Sequence, residues 1–215
     1  MNLLRKPLLL ALPLTTLLRP AQAQLNLPEP SPSAEFKQKV GFTDVTVVYA
    51  RPGAKGRVIF GGLVPYGQLW RTGASDATIV SVSDSVKVEG IWLPKGSYSL
   101  FTIPEKTAWT VVFNKHVGGH GTDGYEEKND ALRFRVPADT ASAFRESFTI
   151  AVDELARGAA RMSLGWARVV VAFRLESNAN ARVVAEIKRR IEVEKEEKPG
   201  LYYQAALYYF DTEQD

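Results

Sequence analysis

Short runs of β-branched and aromatic residues, broken by polar ones, recur along the chain from Val45 onward. They are "VTVVYA" (Val45–Ala50), "TIVSVS" (Thr78–Ser83), "SYSLFTI" (Ser97–Ile103), "WTVVFN" (Trp109–Asn114), "LRFRV" (Leu132–Val136), "SFTIAV" (Ser147–Val152) and "RVVVAFRL" (Arg168–Leu175). Several keep a period of two, which sends alternate side chains to a core and to water. Pro94-Lys95-Gly96 and Pro104-Glu105-Lys106 punctuate them as tight connections. Many short strands at this spacing predict a mainly β domain over residues 40–176, an antiparallel β-sandwich or jelly-roll-like fold.

The period changes after Glu176. In "NANARVVAEIKRRIEVEKEEKPG", Val183, Val184, Ile187 and Ile191 form a narrow apolar stripe, with Asn178 or Asn180 as N-cap and Pro199-Gly200 as the stop. "LYYQAALYYF" (Leu201–Phe210) is a second helical candidate. Residues 177–215 therefore form a short helical tail.

The N-terminus has another character. Arg5 and Lys6 precede the apolar "PLLLALPLTTLL", and Ala21-Gln22-Ala23 fits a small-residue cleavage site, so residues 1–23 predict a secretory signal. The apolar run is too short to span a bilayer, so no membrane span is expected after cleavage. The expected location is periplasmic or extracellular. Residues 24–39 open with the Pro- and Ser-rich "QLNLPEPSPS" and predict a disordered lead-in.

Export changes the charge picture. The chain carries 27 basic and 24 acidic residues, and three of the basic ones lie in the signal. The mature protein is close to neutral, which removes the net-charge case for nucleic acid as a partner. With no cysteine there is neither disulfide nor thiolate chemistry. An exported chain without staples must bury a substantial core, and about 190 residues suffice for one.

Three stretches carry a resemblance. "YARPGAKGRVIFGGLVPYGQLWRTGASDAT" (Tyr49–Thr78), "LPKGSYSLFTIP" (Leu93–Pro104) and "WTVVFNK" (Trp109–Lys115) together resemble a bacterial domain-of-unknown-function family, the one numbered 2911. The similarity extends more loosely over Val40–Leu175. It implies an exported, β-rich protein. Some members carry tetratricopeptide-like repeats, and "LYYQAALYYFD" is similar to the opening of one. The family's pattern has Asn where Ser75 stands here. The resemblance implies neither an activity nor catalytic residues.

Candidate chemistry concentrates in two places. In "GGLVPYGQLWRTGASDAT" (Gly61–Thr78), glycines and Pro65 allow sharp turns, and the apolar residues can cover one end of a sandwich. Tyr66 and Trp70 can wall a pocket, with Arg71, Asp76 and the upstream Arg51, Lys55 and Arg57 supplying charge. One reading is a site for a small anionic or glycan ligand. The other is a structural plug in which Arg71 is held by Asp76 in bidentate contact and by loop carbonyls.

The second place is "NKHVGGHGTDGYEEKND" (Asn114–Asp130), which holds both histidines. His116, His120 and Asp123 are candidate metal ligands, although Gly118 and Gly119 argue against a helical His-x-x-x-His pair. The bland reading is a mobile hairpin loop. Gly119–Gly124 matches G-x-G-x-x-G by letter, but a charged turn into another strand follows, not the helix a dinucleotide requires. No nucleophile elbow or phosphate-binding loop is present, so no cofactor is expected. A non-enzymatic binding or interaction module is the first expectation, with a protein partner for the helical tail as one form of it. An extracytoplasmic hydrolase is the alternative, metal-assisted through the histidines or centred on Ser75 with Asp76 and a histidine.

Overall fold

The computed structural model describes residues 27–212, so the expected signal and the first residues of the lead-in lie outside the described residues. Nine strands form one antiparallel sheet in the order β1-β2-β3-β6-β7-β8-β9-β4-β5. They are β1 (Ser33–Val40), β2 (Thr43–Ala50), β3 (Thr78–Val82), β4 (Val86–Val88), β5 (Ile91–Leu93), β6 (Gly96–Pro104), β7 (Ala108–Asn114), β8 (Asp130–Ala156) and β9 (Ala159–Ser177). The expected lead-in is thus corrected. Its second half is β1, paired with β2 from Ser33↔Ala50 to Val40↔Thr43.

The sheet doubles over on itself at β8. Asp130–Pro137 pairs with β7, whereas Ala138–Ala156 pairs with β9 through several register shifts. Each shift bends and twists the ladder, which turns one continuous strand from one layer to the other. Val47, Tyr49, Val111 and Phe113 of the first layer meet Ile150, Leu164, Val171 and Phe173 of the second in a single core. The Tyr49 hydroxyl joins the layers polarly, accepting from the Ile150 N–H at 3.1 Å.

The short β4–β5 hairpin leaves the space between β3 and β6 and pairs with the end of β9. β2 alternates strictly between buried and half-buried positions, as a strand covered on one face should.

Helix α1 (Ala179–Lys188) starts after Asn178 and runs into a π-helical turn, Arg189–Val193; α2 (Pro199–Thr212) follows. Pro199 opens α2, where its missing N–H costs nothing. Ile187 of α1 and Leu201 and Ala205 of α2 are buried, while Tyr203, Leu207 and Phe210 face water at helical spacing. Among the described residues, no helix is long and apolar enough to cross a membrane.

Candidate functional site

The connection Arg51–Ala77 between β2 and β3 far exceeds the roughly 12–15 residues beyond which structureless loops in compact domains are usually functional. It crosses one end of the sandwich, sewn down on both sides. The Ala54 N–H donates to the Glu146 carbonyl on β8 at 2.7 Å, and Trp70 exchanges both backbone hydrogen bonds with Thr102 on β6.

Trp70 anchors the crossing. It is 7% exposed and packs among Phe60, Trp109, Phe148 and Trp166, with the Trp166 ring stacked at 6.0 Å. Its indole N–H donates to the Gly73 carbonyl at 3.1 Å. Proximity favours Gly73: a Cβ there would lie a tight 3.1 Å from the Ala50 carbonyl oxygen. Trp70 thus covers this end of the sandwich.

The segment after Trp70 is bent twice. Thr72 and Ser75 both adopt the left-handed region, at φ 55° and 57°. That conformation is costly for a β-branched residue and persists only where its surroundings hold it. Thr72 is held: its hydroxyl bonds the Thr102 hydroxyl at 3.1 Å, and its carbonyl accepts from the Thr78 hydroxyl at 2.6 Å.

These two bends separate Arg71 from Asp76, so the expected bidentate contact is not made. Asp76 instead meets His120, with Oδ1 3.3 Å from Nδ1. Among the described residues no carboxylate pairs with Arg71, and its buried Nε has no hydrogen-bond partner. A buried guanidinium N–H without an acceptor costs about 1–3 kcal/mol.

Arg71 lines a cleft of about 300 Å³ with Arg57, Gln68, Leu69, Trp70 and Trp166, and no acidic residue belongs to its wall. Arg57 is half committed: Nε and Nη2 donate to the carbonyls of Ala54 and Gly53 at 3.0 and 2.6 Å, which fixes the guanidinium.

The other expected site residues lie elsewhere. Arg51 donates to the Phe148 carbonyl and the Thr149 hydroxyl and is a structural tie. Lys55 is exposed, with its backbone N–H on the Glu146 carboxylate at 2.7 Å. Tyr66 lies against Gly61 and walls no part of this cleft. Gln68, Thr72 and Trp166 were not singled out by sequence reasoning. Trp166 carried a signal, a tryptophan in an otherwise ordinary strand, but only the fold brings it here.

The histidine-bearing segment is docked onto the crossing, not free of it. Ala77 N–H donates to the Gly119 carbonyl at 3.3 Å and Gly121 N–H to the Ser75 carbonyl at 2.9 Å. Its base is a polar network missed in the sequence. The Asp130 carboxylate accepts from Asn114, from Arg133 Nε at 3.0 Å and from the Tyr125 hydroxyl at 3.2 Å. Tyr125 packs on Phe101, and burial, followed by the charge of Asp130, raises its phenol above the usual tyrosine range.

Among the described residues no group of three or more His, Asp and Glu side chains is arranged to hold a metal ion, so His116, His120 and Asp123 do not form the expected ligand set. His116 lies over Gly124, whose Cβ would stand 2.5 Å from its Nε2; Gly124 is also at φ 74°.

The sequence profile of the family described as "Protein of unknown function (DUF2911)" matches residues 31–175. The match covers the whole double-layered sheet from β1 almost to the end of β9 and stops before the helices. No curated protein and no solved structure matches the chain.

Proposed function

We propose, for a chain that belongs to this DUF2911 family, that it is a non-enzymatic binding module for a small anionic ligand seated on Arg71. The observation that carries the reading is the unsatisfied, buried Nε of Arg71 in a cleft with a second guanidinium and no carboxylate. Folding alone gains nothing from that arrangement, whereas an anion would supply the missing acceptor through a charge-assisted hydrogen bond. Trp70, Trp166 and Leu69 contribute an apolar wall, the usual partner of a few placed polar groups in a ligand site. The basic, apolar N-terminal run supports a site of action outside the cytoplasm.

The test is thermal unfolding of wild type and Arg71→Gln in the presence of phosphate, sulfate and a set of carboxylates. A ligand at a hundred times its Kd adds about 2.7 kcal/mol to the native state, which raises the wild-type midpoint by several degrees. The variant should not respond. If no anion raises the wild-type midpoint, the reading is wrong.

One observation favours a second reading, hydrolysis: the fold brings His120 to Asp76 beside Ser75. The His120 and Asp76 side chains are 76% and 77% exposed, which leaves the pair in water without the desolvation that a catalytic dyad exploits. An activated-ester assay on wild type and His120→Ala decides it. Turnover lost in the variant would displace the binding reading.

A further inference from the structure

The cleft of Arg71 has a neighbour of opposite charge. A second cavity of about 470 Å³ adjoins it, and Ser31 and Ala74 line both. Its charged lining residues are Asp76 and Glu29, with Ser31, Ser33 and Ser75 alongside, and no Lys, Arg or His belongs to its wall. Two arginines and no acidic residue thus line one compartment, and two acidic residues and no basic one line the next.

The backbone produces this division. Residues Arg71 and Asp76 are close in sequence and opposite in charge, and a relaxed turn would let them neutralise each other. The left-handed bends at Thr72 and Ser75 turn them into separate cavities with Ala74 on the divide. The bend at Thr72 is maintained against its conformational cost by the Thr72–Thr102 and Thr72–Thr78 hydrogen bonds. Asp76 has only the exposed contact to His120, and Glu29 is in no ion pair among the described residues.

Resting on the anion reading above, we infer that the ligand is a zwitterion that spans the two cavities. Its carboxylate lies on Arg71 with Arg57 nearby, its chain crosses Ser31 and Ala74, and its ammonium faces Asp76 and Glu29. An extended ω-amino carboxylate, or a peptide end of the same charge pattern, matches both compartments. A monocarboxylate fills one, and a dicarboxylate meets repulsion in the second.

The experiment is calorimetric titration of the full chain with ω-amino carboxylates of increasing length, from β-alanine to aminocaproate. Matched monocarboxylates, matched α,ω-dicarboxylates and inorganic phosphate serve as comparators. One length of amino carboxylate should bind about three- to fivefold tighter than its monocarboxylate, the value of one partly exposed ion pair. Asp76→Asn should erase that preference, whereas Arg71→Gln should abolish binding of both. Unfolding midpoints of the variants confirm that each is folded.

Equal affinity for amino, mono- and dicarboxylates, or a preference that survives Asp76→Asn and Glu29→Gln together, would overturn the zwitterion and leave the anion site. Arg71-dependent binding of phosphate alone would do the same. Binding of none of these probes would overturn both.

Discussion

Trp70 and Trp166 stack in the interior with ring centroids 6.0 Å apart and planes 18° from parallel. One belongs to an irregular crossing and the other to β9, so this contact fastens the long connection to the far layer of the sandwich. Both residues also line the cleft that carries Arg71. Packing and the candidate site therefore share the same two side chains.

Trp70→Ala should lower stability by about 3–5 kcal/mol, because the indole is buried among four other aromatic rings that cannot close over the space it leaves. Denaturant unfolding monitored by the remaining tryptophans measures it.

Arg71→Met should not lower the unfolding midpoint in ligand-free buffer. The substitution removes a buried donor that has no acceptor and keeps the apolar stem in place. A fall of several degrees would instead make Arg71 a structural residue of the plug and move the search for function elsewhere.

Asp130→Asn should loosen the segment docked on the crossing, at a cost of about 1–3 kcal/mol, since Arg133 loses its charged acceptor. Faster hydrogen exchange at the Ala77 and Gly121 amides is the local readout. The same change should bring the Tyr125 phenol part of the way back towards its ordinary pKa, because burial, the larger cause, remains. The folded-state value is raised above the unfolded one. Its contribution is therefore present in full below the unfolded tyrosine pKa of about 10 and is lost as pH rises through the folded value.

In the tail, Glu196 accepts from Arg190 Nε and Nη2, both at 2.9 Å, and from Lys198 at 3.1 Å. First the Arg190 hydrogen bonds and then that of Lys198 hold its carboxyl down at about 2. A depressed carboxylate stabilises above its unfolded pKa, and this contribution is lost as pH falls from there through about 2. Carbon-detected titration of Glu196 should show the low midpoint, and Arg190→Gln should raise it towards the normal glutamate range.

Much of the fold was legible because it is written in local periodicity. All seven strand segments expected from Val45 to Leu175 fall on strands of the sheet, with Ser83 alone just past the end of β3, and Asn178 stands at the start of α1. The misses have physical causes. β1 is an edge strand whose Ala34, Phe36 and Val40 alternate with polar residues directly after a Pro- and Ser-rich run. The three-residue strands β4 and β5 are too short for any period to register. Leu132–Val136 and Ser147–Val152 read as two strands because the polar stretch between them has no apolar alternation. Backbone pairing with β9, which a sequence does not display, makes them one.

By itself, the sequence determined the class: a period of two through the middle of the chain, a helical period at its end, and glycines, proline and aromatics in a crossing that can be neither strand nor helix. It also named Trp70, Arg71, Asp76 and Arg57, on which the proposed site draws, together with Arg51, Lys55 and Tyr66, which lie elsewhere. Tertiary structure alone decided what those residues do to one another. Arg71 and Asp76 are neighbours in the chain, and complementary charge makes them natural partners. Yet hydrogen bonds to Thr102 on β6 and from Thr78 on β3 hold Thr72 in a conformation that turns the two apart. A backbone angle enforced by distant strands, not the identity of either residue, leaves a cation and an anion facing separate cavities.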